Sequence, residues 1–457
     1  MNKQTEVAEK IGHYRWLIIS LLLFATTINY MDRNVISFLK EYFCSPQGFG
    51  WSNTDFANLT SIFTAFYAGV TLFSGAFIDK IGTKLGLAFS LIIWSLAGIG
   101  NAFVGKLVGM HMMIRSVFAV GESGNFPASI KTVAEWFPKK ERALATGIFN
   151  SGSNIGAMIS ALFVPWCLLF FGADLGWKMS FILTGGVGFI WLIFWFWIYN
   201  TPAKAREKGV LSEAEYNYIH SDIDEKEAAA ASLAAGNPVK VSWFKLLTYR
   251  QTWSFVVGKF MTDGVWWFLL FWLPDYLTKQ FGMTTKQVMW PTFIVFGVAI
   301  IGSVFGGGIP MFFMNRGWQT YKARMTAMFL IALFPLLLIT TQYFGNVAHF
   351  GYYASILAIM VICIGAAAHQ AWSANLFTTV SDMFPKKAVG AITGIGTAAG
   401  GVGGVLLQKL AGWMTDLYSA HPATAYTILF DVCASAYLIA WIIMKWLVPK
   451  FRLITDL

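Results

Sequence analysis

Charge is what this sequence has least of: Asp, Glu, Lys and Arg make up 12% of its 457 residues, about half the share found in soluble domains. Hydrophobic residues make up 56%, and 41 Phe and 20 Trp need cover that so thin a charged surface does not provide. A water-soluble globule is excluded, and lipid is the cover that fits. Cysteine is scarcer still. Cys44, Cys167, Cys363 and Cys433 stand far apart without metal-ligand spacing, which argues against a cysteine metal centre or a disulfide framework. Buried thiols are expected, with a Cys44 to Cys167 bridge as the alternative. No nucleophile and base pair, Gly-rich phosphate loop or metal cluster stands out, so neither an enzyme nor a resident cofactor is expected. The first apolar run, from about Trp16, lacks a small-residue cleavage site after it and reads as a spanning helix rather than a signal peptide.

A helix needs about 20 apolar residues to cross a bilayer. After the first run, others follow near 56–77, 86–105, 108–134, 143–170 and 178–199, and a second set near 252–276, 288–313, 323–342, 350–379, 390–413 and 424–447. The pattern predicts an all-α membrane protein of twelve transmembrane helices in two six-helix bundles, 1–199 and 251–457, joined by a linker at 200–250. The net charge of +10 would suggest nucleic acid in a soluble protein. Here most Lys and Arg fall in loops on the side holding the N-terminus, which is the positive-inside pattern. Both termini are therefore expected in the cytoplasm of a monomer in the cell (inner or plasma) membrane, with no nucleic-acid partner. In the linker, Ser212 followed by Glu215 reads as a capping box opening a short surface helix.

The halves repeat. Phe137-Pro138-Lys139-Lys140 with Thr146-Gly147-Ile148 recurs 247 residues later as Phe384-Pro385-Lys386-Lys387 with Thr393-Gly394-Ile395, each copy after the fourth span of its half. Two duplicated bundles of like orientation place a binding site near the midplane between them.

Ionisable residues inside the membrane are costly unless paired or wet, so they point to function. The first half holds Asp32 and Arg33 in its first span and Arg115 and Glu122 in its fourth. At 1.5 Å per residue the first pair lies at about the depth of Arg115. Arg115 and Glu122 are two turns apart and share a face, whereas Asp32 and Arg33 diverge by about 100°. Asp32 is therefore expected to meet a partner such as Arg115, and Arg33 to face the central cavity, where a guanidinium clamps a carboxylate with two bonds. Asp32 and Glu122, with Arg115 beside them, are the candidates for proton coupling; a static network holding helices together is the alternative.

Polar and aromatic groups accompany the cluster: Asn29, Tyr30, Tyr67, Asn150, Ser153 and Asn154 in the first half, and Lys259, Asp263, Trp266, Trp267, His369, Gln370, Trp372, Ser373 and Asn375 in the second. Aromatic faces with amides and hydroxyls suit a polyhydroxylated anion. Lys259 and Asp263, four apart, either pair with each other or serve the substrate. His369 aligns with Glu122 under the 247-residue offset and is either a second protonatable group or a hydrogen-bonded interior residue. Between the second and third spans, Gly75, Asp79, Lys80, Gly82 and Lys84 form a compact loop. Its glycines are expected to allow close helix approach, and Asp79 to sit at a helix N-terminus or pair with Arg142 as part of a gate.

Gly75 to Lys84 resembles the loop signature of the major facilitator superfamily. Asn29 to Asn34, Tyr67, Arg115 to Glu122, Phe137-Pro138 with Asn150 to Ser153, and Ala368 to Ser373 resemble its organic anion:cation symporters for sugar acids, the hexuronate and galactonate transporters. The likeness spans nearly the whole chain outside the linker. It implies proton-coupled uptake with Asp32 and Glu122 carrying protons, Arg33 on the substrate carboxylate, and Tyr30, Tyr67, Trp372, Ser373 and Asn375 in or near the pocket. The run Thr262 to Trp267 with Lys259 is similar to hexuronate-type members, implying glucuronate or galacturonate first and an aldonate such as galactonate second. A membrane-embedded enzyme or sensor, a channel and an exchanger are the competing readings.

Overall fold

A computed structural model of the protein describes residues 11–221, 243–384 and 386–454; within these, nothing is described of the side chains of Asp79, Lys139, Lys140, Arg142, Ala143, Lys386 and Lys387. All regular structure among the described residues is helical. The first group comprises α1 (Tyr14–Cys44), α2 (Asn53–Ile81), α3 (Thr83–Gly100), α4 (Val108–Glu122), α5 (Asn125–Trp136), α6 (Lys139–Phe171) and α7 (Ala173–Ile198). Short helices α8 (Pro202–Glu207), α9 (Glu213–Ile219) and α10 (Trp243–Leu246) lead to the second group. That group comprises α11 (Arg250–Phe281), α12 (Thr285–Gly306), α13 (Gly308–Met314), α14 (Thr320–Leu333), α15 (Thr341–Phe344), α16 (Val347–Phe350), α17 (Tyr353–Met383), α18 (Lys386–Leu417) and α19 (Pro422–Leu447).

These elements make twelve traverses, because α4 with α5, α12 with α13, and α14 with the 3₁₀ turn Pro335–Thr340 and α15 each form one crossing. Ten traverses are long and apolar enough to span a bilayer by composition. The remaining two are α1, diluted by the polar stretch from Thr26 to Asn34, and α4 with α5, interrupted at Ser123-Gly124. They are also the two that carry Asp32, Arg33, Arg115 and Glu122. The interruption follows from tight packing: a Cβ on Gly121 would lie 2.5 Å from the Trp94 backbone nitrogen, and one on Gly124 2.1 Å from Ser90 Oγ, so α4 rests directly on α3.

The duplication is visible in the backbone. α6 starts at Lys139 and α18 at Lys386, 247 residues apart, and each follows a helix closed by the same bond, Phe137 N–H to the Val133 carbonyl and Phe384 N–H to the Val380 carbonyl. Between the groups, α1 packs on α11, α2 on α18 and α6 on α12. The α2 and α18 contact is close enough that a Cβ on Gly401 would sit 2.2 Å from that of Ala68.

The linker helix forms where the sequence places it, with Ser212 Oγ accepting the Glu215 N–H at 3.2 Å. The Glu215 side chain does not complete a capping box. It reaches α1 instead, accepting from the backbone N–H groups of Tyr14 and Arg15 at 3.1 Å each and from Arg15 Nη1 at 3.0 Å. The linker, the start of α1 and the end of α7, where Tyr14 donates to the Ile198 carbonyl, thus share one end of the molecule, the terminal face. The last described residues share it too, since Ile454 N–H bonds the Met383 carbonyl at the end of α17. The opposite end is the far face. All four cysteines are free thiols, so no bridge joins Cys44 to Cys167.

Candidate functional site

All four membrane charges singled out in the first half are buried: Asp32 is 2% exposed, Arg33 and Arg115 1%, and Glu122 0%. None is turned to lipid. Their pairing differs from the sequence expectation. Arg33, not Arg115, takes the carboxylate: Arg33 Nε donates to Glu122 Oε2 at 2.8 Å, and Arg33 Nη2 to Asn29 Oδ1 at 3.3 Å. Arg115 donates to the Arg33 carbonyl at 3.3 Å and lays its guanidinium 4.7 Å from the Phe63 ring and 4.6 Å from the Phe118 ring. Asp32 therefore does not bond Arg115. It points the other way, toward Thr184 of α7 and Trp94 of α3, and neither of its oxygens has a hydrogen-bond partner. The 100° between Asp32 and Arg33 sends one side chain into the first group and the other to the interface between the groups.

At that interface Arg33 is walled by aromatic faces, with its guanidinium carbon 4.4 Å from the Tyr30 ring, 4.6 Å from Tyr67, 5.3 Å from Phe63 and 5.2 Å from Trp267. Trp267 belongs to α11, so the second group closes over an arginine of the first. Such contacts contribute about 0.5–2 kcal/mol each. Glu122 keeps Oε1 unpaired, and Arg115 keeps Nε and Nη1 unpaired. The result is a buried cluster with spare hydrogen-bonding capacity, shut off from solvent in this conformation.

The remaining candidates fall into three places. Asn150 and Asn154 lie on α6, Asn154 buried with Oδ1 unpartnered. Lys259 and Asp263 bond each other at 2.6 Å along α11, which realises the self-pairing alternative in this conformation. Trp266 stacks on His369 with centroids 5.2 Å apart and planes at 8°, and His369 Nδ1 meets the Tyr437 hydroxyl at 2.8 Å. His369 is thus a bonded interior residue, and Trp372 beside it packs edge-on to the same Tyr437. Gln370 and Ser373 are half-buried on α17. Asn375 donates to the Gly306 and Ala371 carbonyls and accepts from Arg324 Nη1, tying α17 to α12.

In the loop between α2 and α3, Gly82 turns the chain at φ +84°, a left-handed value suited to glycine. The expectation of close packing fails at both Gly75 and Gly82, where an added Cβ would meet nothing within 4 Å. Lys80 is exposed, and Lys84 donates to the Phe196 carbonyl at 3.1 Å. Asp79 does not open a helix, since its backbone lies in the last turn of α2, and the Asp79 and Arg142 side chains lie outside the described residues. Sequence reasoning missed Glu135, which accepts from Thr83 at 2.7 Å and Tyr199 at 2.8 Å. Its counterpart 247 residues on, Asp382, accepts from Arg324 Nε at 2.5 Å, so the repeat offset was a signal that would have found both. It also missed Lys40 and Asp275, an ion pair of 2.6 Å.

The model of the Major Facilitator Superfamily matches residues 22–408. The chain belongs to that superfamily. It is a multi-pass membrane transporter and not an enzyme. The superfamily protein is 28% identical over 441 residues to the hexuronate transporter of Escherichia coli strain K12, covering 95% of each chain. It is 26% identical to the D-galactonate transporter of Escherichia coli O6:H1, covering 92% of this chain and 93% of that one. Among solved structures, the inward open xylose transporter XylE from E. coli matches with a TM-score of 0.69 at 16% identity, covering 93% of this chain and 96% of that one, a likeness of fold.

Proposed function

We propose that this transporter carries a sugar acid together with protons by alternating access, with a hexuronate such as glucuronate or galacturonate as its substrate and an aldonate as the second choice. The observation that carries the reading is Arg33: a buried guanidinium at the junction of the two groups, flanked by Tyr30, Tyr67 and Trp267, with one carboxylate already against it. A substrate carboxylate replaces Glu122 there without leaving the arginine unpaired, and the aromatic faces suit a sugar ring. Glu122 released from Arg33 is then a buried acid that takes a proton, as Asp32, without a partner, is placed to do. The names of the curated relatives support the substrate class.

In this reading the bundles 1–199 and 251–457 rock about the Arg33 level as the 200–250 linker holds them together. The terminal face is cytoplasmic, following the positive-inside pattern, and the protein works as a monomer in the inner or plasma membrane. Tyr30, Asn29, Tyr67, Asn150, Asn154, Trp266, Trp267, Gln370, Trp372 and Ser373 are assigned to the pocket or its walls. Uptake of labelled glucuronate and galacturonate into proteoliposomes tests it. Accumulation that needs an inward proton gradient is expected. Equal uptake of neutral sugars, or hexuronate uptake that does not respond to a proton gradient and moves no protons, overturns it.

A further inference from the structure

A second cation shares the face of α1 that carries Arg33. Lys40 lies two turns away, about 10 Å along the axis, and it too meets α11 through a carboxylate and an aromatic ring: Asp275 Oδ1 at 2.6 Å and the Trp272 ring at 4.6 Å. The ammonium is 1% exposed and is also held by Asn53 Oδ1 at 2.7 Å. Asn53 in turn gives its backbone N–H and side-chain amide to Asp416 of α18, at 3.0 and 2.9 Å, and Thr54 N–H bonds Asp416 at 2.7 Å. Asp416 therefore caps the start of α2 from the other group. The same half of the junction also joins Thr60 of α2 to Gln408 of α18, Thr60 Oγ1 donating to Gln408 Oε1 at 3.1 Å. A small cleft adjoins the pair, lined by Asp275 itself with Ser37, Glu41 and Thr278.

From this we infer that Lys40 is a second anion-binding cation of the translocation path, closed off in this conformation by Asp275 and released to the incoming anion when the far face opens. The physical reason is that α1 and α11 belong to different groups. Separating them strips Lys40 of Asp275 and leaves it with Asn53, which moves with the first group. A lysine so freed stands at the mouth in line with Arg33, attracting anions and passing them inward to the guanidinium. The anionic cargo rests on the function proposed above, but the test does not use a sugar acid.

In a chain with Cys44→Ser and Ser37→Cys, the rate of labelling by small membrane-impermeant thiol reagents of opposite charge reports both opening and local potential. Slow labelling is expected before further change, and a several-fold rise with Asp275→Asn. The anionic reagent is then expected to be favoured by about tenfold, a preference that Lys40→Gln abolishes and Lys40→Arg retains. Should Asp275→Asn not fold, as judged by gel filtration, Asp416→Asn loosens the same closure from α18. No rise with either variant overturns the closure, and an anionic preference that survives Lys40→Gln overturns the binding role. Failure of the unchanged protein to take up sugar acids, with this labelling as expected, counts against the proposed substrate and leaves the role of Lys40 standing.

Discussion

Arg33 holds Glu122 across the interior of the first helix group at 2.8 Å while Trp267 of the second group lies 5.2 Å from the same guanidinium. A single side chain thus ties a carboxylate to the junction of two bodies that must move apart. Replacing it separates charge from geometry. Arg33→Lys keeps the charge but loses the planar fork that serves Glu122 and Asn29 together. Uptake of a hexuronate is expected to fall at least about tenfold, the equivalent of about 1.4 kcal/mol, with the protein still folded. Uptake unchanged within twofold would remove Arg33 from the substrate site.

Asp32 makes the opposite case. An ionised carboxylate with no partner is costly inside a membrane protein, and neither Asp32 oxygen has one. Asp32→Asn removes no bond, so its thermal unfolding midpoint is expected to equal or exceed that of the unchanged protein. Gradient-driven accumulation is expected to be lost while substrate counterflow persists. Accumulation at the original level in the variant would take Asp32 out of proton coupling.

The reading of the sequence reached the cluster but not its wiring, and the reason is physical. Twelve apolar runs and a 247-residue repeat report burial and duplication directly. Charges in an apolar run stand out individually, so Asp32, Arg33, Arg115 and Glu122 were legible as a set. Angular spacing on α1 showed that Asp32 and Arg33 diverge and turned Arg33 toward the cavity, but which partner each side chain meets depends on how α1 rolls against α6 and α7. Lys40, Asp275 and Asp416 sit near helix ends, where charge is ordinary in a spanning helix. Glu215 looked like a local cap because Ser212, the N-cap of its own helix, lies three residues earlier. Its true partners lie 200 residues away in sequence.

Glu215 gives a stability prediction. It is 1% exposed and satisfies two orphan N–H groups at the start of α1 as well as Arg15. A carboxylate at a helix N-terminus is favoured by the helix dipole, and buried donors left without it are costly. Glu215→Gln keeps an acceptor and is expected to cost little. Glu215→Ala is expected to cost about 2 kcal/mol, read as a lower unfolding midpoint in detergent. Equal midpoints for the two variants would show that the linker does not hold α1.

Lys259 and Asp263 offer the sharpest choice between a structural and a transport role, since their 2.6 Å contact is compatible with both. Removing one member leaves the other buried and unpaired, whereas removing both leaves an apolar face. If the pair only neutralises itself, Lys259→Met and Asp263→Leu each destabilise the protein, the double variant recovers most of the loss, and substrate affinity is unmoved in all three. If Lys259 exchanges Asp263 for the substrate during transport, the double variant recovers stability but not affinity. The Trp266 and His369 stack, one turn from Asp263 and two from Lys259, makes the second outcome the expected one, because it offers a flat aromatic wall to a sugar ring on the same helix. Thermal-shift titration of the four proteins with glucuronate separates the two, as ligand stabilisation tracks affinity independently of the starting midpoint.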